Sequence, residues 1–116
     1  MIASWTQEQR IRKRRHFLLI QESGVRIKSL DFLFFVLPSN DDKCRFGLTV
    51  SKKVGNAVVR NRIKRLLREA IRSNYHAIDG AFEVVVVAKR SARNMDFKRC
   101  STQVSDFLEG LECRPQ

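Results

Sequence analysis

Residues 45–72 read RFGLTVSKKVGNAVVRNRIKRLLREAIR, and the fold turns on how this stretch is read. It opens as a strand, with Phe46, Leu48 and Val50 on one side and Gly47, Thr49 and Ser51 on the other. Lys52-Lys53 stand at the strand's end, Gly55-Asn56 make a turn, and a helix is expected from near Ala57. At ~100° per residue, Val59, Ile63, Leu66, Leu67, Ala70 and Ile71 share one arc of that helix. Arg60, Arg62, Lys64, Arg65, Arg68 and Arg72 sweep round the rest, with Glu69 the one acid among them. A solvated helix face normally mixes signs to gain pairing four residues apart. Here Arg60, Lys64, Arg68 and Arg72 follow one another at that spacing and repel. A polyanion relieves such a face, so this helix is read as a polyanion-binding element.

Composition points the same way. At 116 residues and 13.5 kDa the chain suits one domain, residues 1–116, with one modest core. Its formal net charge of +11 attracts phosphate backbones or anionic membrane surfaces. A content of 43% hydrophobic residues excludes a disordered basic tail. No apolar run approaches the ~20 residues of a membrane span, the longest lying near Phe32–Leu37 and Val84–Ala88. The opening MIASWTQEQRIRKRRHF has charges but no apolar core behind them, so no secretory signal is read and a cytoplasmic location is expected. Cys44, Cys100 and Cys113 are odd in number, widely spaced and without a C-x-x-C pair. Reduced, partly buried thiols are expected, not a zinc site or a disulfide framework.

Working outward, Thr6 with Gln9 has the spacing of a capping box, so a helix is expected to start there. Arg10, Arg12, Lys13, Arg14 and Arg15 make its first half basic, Phe17, Leu18 and Ile20 give it an apolar stripe, and Gly24 stops it. Val25–Lys28 reads as a short strand. Asp31–Leu37 reads as a stronger one, apolar on both faces and ended by Pro38 and a polar turn. The basic helix runs out around Ser73–Tyr75, and Glu83–Ala88 reads as a buried strand closed by Lys89-Arg90. Phe97, Cys100, Val104, Phe107, Leu108 and Leu111 recur at helical spacing and predict a last amphipathic helix. The order α, β, β, β, α, β, α predicts an α+β fold: an α/β sandwich with a four-stranded mixed sheet and about three helices, the basic helix crossing between parallel strands.

Side-chain catalysis finds little support. His16 and His76 are the only histidines, and neither has a neighbouring Ser, Cys or acid in a recognisable nucleophile setting; His16, among arginines, reads as another group facing a phosphate backbone. Asp41-Asp42 read as a turn. The Gly55-Asn56 turn can offer N–H groups to a phosphate but lacks the P-loop pattern. Nucleic-acid binding is better founded. Lys52-Lys53 and Lys89-Arg90 end strands expected to be neighbours, and Phe17 and Phe35 are candidates to stack unpaired bases, although core packing accounts for most of the 8 Phe.

The run SKKVGNAVVRNRIKRLLRE, centred on Arg60-Asn61-Arg62, resembles the RNR motif of the bacterial ribonuclease P protein subunit, and the likeness extends from about Phe17 to about Leu111. The resemblance implies a fold like ribosomal protein S5 domain 2 with a left-handed βαβ crossover, where general rules favour a right-handed one. It implies removal of 5′ leaders from precursor tRNA by a holoenzyme whose RNA subunit carries catalysis. Mg²⁺ is then expected on that RNA and at the RNA–protein interface, with no small-molecule cofactor. Arg60, Asn61, Arg62, Lys64, Arg65 and Arg68 would bind the ribonuclease P RNA. Phe17, Gln21, Phe35, Ser51, Lys52, Lys53, Lys89 and Arg90 would hold the leader of precursor tRNA. Gln21 departs from the family pattern, which places a second helix aromatic there; it can hydrogen-bond a base instead. The alternative reading is a basic structural RNA-binding protein of ribosomal type. A membrane-surface role is disfavoured, because the basic helix lacks exposed large apolar residues opposite its charges.

Overall fold

Strands that are apolar on both faces demand cover on both sides, and the chain supplies it with one helix above the sheet and two below. The computed structural model describes residues 10–11, 13–39, 43–74 and 81–112. In order these form α1 (Arg14–Ser23), β1 (Val25–Lys28), β2 (Phe32–Pro38), β3 (Arg45–Thr49), α2 (Ala57–Asn74), β4 (Phe82–Ala88), a 3-10 helix (Arg90–Asn94) and α3 (Phe97–Glu112). The sheet order is β1-β2-β4-β3, with β3 and β4 parallel and the other pairs antiparallel. The predicted α+β sandwich with a mixed four-stranded sheet is therefore present, and α2 makes the crossover between the parallel pair.

Alternation sorts the side chains. Phe32, Phe34 and Val36 of β2, Val84, Val86 and Ala88 of β4 and Phe46 of β3 join the buried residues of α2 and α3 in the main core. The Phe34 and Phe107 rings stack 4.0 Å apart and fasten α3 to the sheet. The opposite face carries a smaller cluster of Ile11, Ile20 and Val85, flanked by half-buried Phe17, Phe35, Leu37 and Val87. Within α2, Ile63, Leu67, Ala70 and Ile71 are buried and Val59 and Leu66 partly so, which is the arc predicted from the wheel.

The first helix starts later than the sequence suggests. Thr6 and Gln9 lie outside the described residues, but Arg10 forms a parallel bridge with Phe46, the Ile11 N–H donates to the Phe46 carbonyl at 2.9 Å, and α1 begins only after extended Lys13. The physical reason is non-local. Ile11 is buried beside Phe17, and the open edge of β3 offers its backbone a ladder partner. The 3-10 helix after β4 is also an addition to the sequence reading, pinned by buried Ala92 and Met95. Cys44 and Cys100 are free thiols and lie buried, where the sequence reading expects partial burial; Cys113 and His76 fall outside the described residues. Burial first, then the nearby Asp31 and Asp96 charges, push the Cys100 thiol up to about 12.

One buried acid ties the β1–β2 turn to α3. Asp31 is fully buried and accepts two bonds from Arg99, Nε to Oδ2 and Nη2 to Oδ1, each 2.7 Å, while Gln103 Nε2 donates at 2.6 Å. Gln103 Oε1 in turn accepts from the Asp31 N–H at 2.8 Å. Burial alone would raise the Asp31 pKa, but hydrogen bonds from Ser91, Arg99 and Gln103 and the Arg99 charge outweigh it and hold the carboxyl below its ordinary range. Its stabilisation is thus complete above the unfolded carboxyl pKa of ~3.9 and is lost as pH falls through the lower folded value. Asp31→Ala is expected to cost roughly 2–3 kcal/mol in urea unfolding, the low side for a broken ion pair because Arg99 is partly exposed. Asp31→Asn should flatten the loss of stability below about pH 4 relative to wild type. An unchanged acid limb would contradict this account.

Candidate nucleic-acid interface

The turn into α2 is built to throw charge outward. The Val54 N–H donates to the Ser51 carbonyl at 3.1 Å and buried Val54 anchors the loop, leaving Ser51, Lys52 and Lys53 exposed. Asn56 caps the helix, its Oδ1 accepting from the Val59 N–H at 3.0 Å. Arg60 Nη1 donates to the Gly55 carbonyl at 3.2 Å, and Arg62 Nη2 donates to the Met95 carbonyl at the end of the 3-10 helix. Asn61, Arg62 and Arg65 are exposed, while Arg60, Lys64 and Arg68 are half-buried. The arc that looks continuous on the wheel is therefore divided into an outer row and an inner row. Arg72 belongs to neither, since it pairs with Glu69 at 2.8 Å in an exposed contact worth little.

The inner row meets α1 at the edge of β3. Lys64 and Arg68 line a groove with Arg10, Ile11, Phe17, Phe46 and Leu48. The Arg68 Nε is buried without a hydrogen-bond partner, and burial first, then the Arg10 charge, press its guanidinium below its ordinary value. Two guanidinium groups held this close are a cost that an anion relieves. By sequence Phe17 goes to one ligand and Lys64 and Arg68 to another; the structure puts all of them in one groove.

The second part of the surface is the sheet face under α1. Its rungs follow from register: Arg26, Phe35, Val85 and Gly47 on one, Lys28, Leu33, Val87 and Thr49 on the next. The helix crosses nearer the other end. There His16 Nε2 lies 3.0 Å from Glu83 Oε1, and a Cβ on Gly24 would meet the Val36 backbone at 3.0 Å. The rung of Lys28, Leu33, Val87 and Thr49 is left as a partly open floor, half-buried except for exposed Lys28. Phe17 and Phe35 are both half-buried beside it, and Gln21 sits one turn beyond Phe17, partly exposed. Because Thr49 pairs with Val87, the Lys52-Lys53 turn and Lys89-Arg90 leave the sheet at the same end, as expected. Arg90 is exposed, but Lys89 is half-committed: its Nζ donates to the Ser29 carbonyl at 2.7 Å.

His16, read from sequence as facing a phosphate backbone, lies against Glu83, which is also 3.6 Å from Arg45. No signal in the sequence joins residues 67 apart. Among the described residues no group of three His, Cys, Asp or Glu gathers as for a metal ion. The cations of the groove and the half-buried Phe17 and Phe35 rings are groups able to neutralise phosphates and stack bases.

Gly47 is the joint between α1 and β3. A Cβ there would stand 2.7 Å from the Phe17 ring and 3.1 Å from Ile11, so glycine permits the close approach. Gly47→Ala is expected to lower stability by about 1–3 kcal/mol in thermal or urea unfolding. The cost should shrink in a Phe17→Ala background, since the two positions share one contact. Strict additivity would mean that Phe17 does not rest on Gly47.

Comparison with known proteins identifies the family. The Ribonuclease P family model matches residues 6–112. A ribonuclease P protein component from Desulfatibacillum aliphaticivorans is 44% identical over 105 residues, covering 90% of this chain and 82% of the relative. One from Shouchella clausii is 39% identical over 108 residues, covering 89% and 85%. Among solved structures, the Thermotoga maritima ribonuclease P protein superposes with a TM-score of 0.80 at 30% identity, covering 87% of this chain and 96% of that one. A Staphylococcus aureus ribonuclease P protein mutant with defective mRNA degradation activity superposes with a TM-score of 0.82 at 30% identity, covering 91% and 90%. A cationic helix, a groove shared with α1 and an open sheet face thus stand on a chain that belongs to the ribonuclease P protein family.

Proposed function

We propose that the chain works as the protein subunit of ribonuclease P, gripping the catalytic RNA with α2 and the 5′ leader of precursor tRNA with the cleft under α1. The carrying observation is the groove where Arg10, Lys64 and Arg68 converge beside Phe17, with the Arg68 Nε buried and unpartnered. A site with that excess of positive charge suits a phosphate backbone, and its aromatic wall suits unpaired bases. The family match sets aside the structural ribosomal reading.

In this reading Arg62 and Arg65 of the outer row, with Asn61, meet the RNA subunit, and Arg60, Lys64 and Arg68 neutralise phosphates nearer the cleft. Phe17 and Phe35 stack leader bases, Gln21 hydrogen-bonds one, and Ser51, Lys52, Lys53, Lys89 and Arg90 line the entrance. Mg²⁺, if held by the RNA and at its interface with the protein, would supply the Lewis-acid part of phosphodiester hydrolysis. The protein's share is electrostatic and positional: it screens phosphates and fixes the leader, which distinguishes precursor from mature tRNA. No helix among the described residues is long and apolar enough to cross a membrane, and a cytoplasmic place of action suits the proposed partners.

Reconstitution tests the assignment. The chain alone should not cleave precursor tRNA, and adding a bacterial ribonuclease P RNA at low Mg²⁺ should give cleavage with correct 5′ ends. The Arg60→Ala, Arg62→Ala, Arg65→Ala triple variant should bind that RNA more weakly and with a smaller salt slope, by ~0.7–0.9 for each phosphate no longer neutralised. Equal affinity and slope in folded variant protein would remove α2 from the interface. For the cleft, Phe35→Ala should weaken precursor binding by the holoenzyme by about 1–3 kcal/mol while sparing mature tRNA. Gln21→Phe should tighten precursor binding alone. A precursor-to-mature ratio insensitive to both changes would sink the stacking role.

A further inference from the structure

The edge strand β1 carries two cations that the reading above leaves idle. Arg26 and Lys28 are exposed, and neither side chain has a hydrogen-bond or ion-pair partner among the described residues. Register fixes where they stand. Arg26 pairs with Phe35 and Lys28 with Leu33, while Ile27 between them packs against the main core below the sheet. Both cations therefore belong to the face that holds the cleft floor, each next to a half-buried apolar residue of β2. The nearby Lys89 is partly withdrawn from that face by its bond to the Ser29 carbonyl.

We propose that Arg26 and Lys28 extend the leader cleft to the edge of the sheet and bind the sugar-phosphate backbone of leader nucleotides lying beyond those stacked on Phe17 and Phe35. The proposal rests on the leader-cleft reading and deepens it, adding a contact that depends on leader length. With strands ~4.8 Å apart, β1 lies roughly 10 Å from the middle of β4, so a leader must cross β2 before it meets these cations. A very short leader ends before it arrives. Charges on an edge strand also have a plainer use, since they discourage pairing with another chain. The two roles separate by sign: an acid guards an edge as well as a base does, but repels phosphate.

The test uses holoenzyme reconstituted with ribonuclease P RNA and compares precursor tRNAs bearing very short and long leaders with mature tRNA. Arg26→Gln/Lys28→Gln should weaken long-leader binding by about tenfold near physiological salt and reduce the salt slope by about 1–1.5. Arg26→Glu/Lys28→Glu should weaken it further, and both variants should leave short-leader and mature tRNA affinities unchanged. Unaltered long-leader affinity, or an equal loss on mature tRNA, overturns the proposal. Phe35→Ala run in parallel tells the two failures apart. If Phe35→Ala discriminates precursor from mature tRNA and the β1 variants do not, only the extension falls. If none of the variants discriminates, the cleft reading falls with it.

Discussion

The parallel pairing of β3 with β4 governs where the candidate cations of α2 and of the two dibasic strand ends come to lie. Parallel neighbours leave the sheet at the same end, so the Lys52-Lys53 turn and the Lys89-Arg90 step come out side by side. They also need a crossover, and α2 is that crossover. Its cationic faces are thereby fixed beside β3, within reach of Arg10 and Phe17. Reversing β3 would carry the turn, and α2's start with it, to the far end of the sheet.

This arrangement holds like charges together at a cost that the apolar layers meet. The main core spans sheet, α2 and α3, and the ring pair of Phe34 and Phe107 stitches its two sides. The α1 side is thinner: three buried residues, a glycine notch for Phe17 and the His16–Glu83 contact. Strong packing thus lies on the side of α2 and α3, opposite the proposed leader cleft, and the cleft itself is lightly held. A partner that brings negative charge adds to the stability of the second layer by the mass action of binding.

Much of the fold is legible in the sequence because its signals are local. β1 spans Val25–Lys28 as read, α2 begins at Ala57 after the predicted turn, and its buried arc matches the wheel. Pairings between distant residues are not legible. Nothing near Asp31 announces Arg99 or Gln103, and Glu83 looks like the start of a buried strand until His16 and Arg45 are seen around it. The α1 boundary differs from its expected place for the same reason, since a local capping pattern yields to burial of Ile11 and to the free edge of β3. Of the site, residue types and their order along the chain are readable. The joining of Phe17 with Lys64 and Arg68 is not, and neither is the face taken by Arg26 and Lys28, because both depend on register.

The Asp31 lock has a consequence for how the chain is made. Asp31 and Arg99 are 68 residues apart, so a ribosome emits the carboxylate long before its guanidinium partner. Until α3 emerges, the first hairpin holds a carboxylate without its guanidinium and Gln103 partners and a sheet face without its C-terminal cover. Closure is then a late, non-local event of the kind that slows folding, and it comes after the basic helix has already been synthesised. The nascent chain therefore carries its cationic helix before the main core is closed, so the like charges of α2 are synthesised ahead of the packing that offsets them.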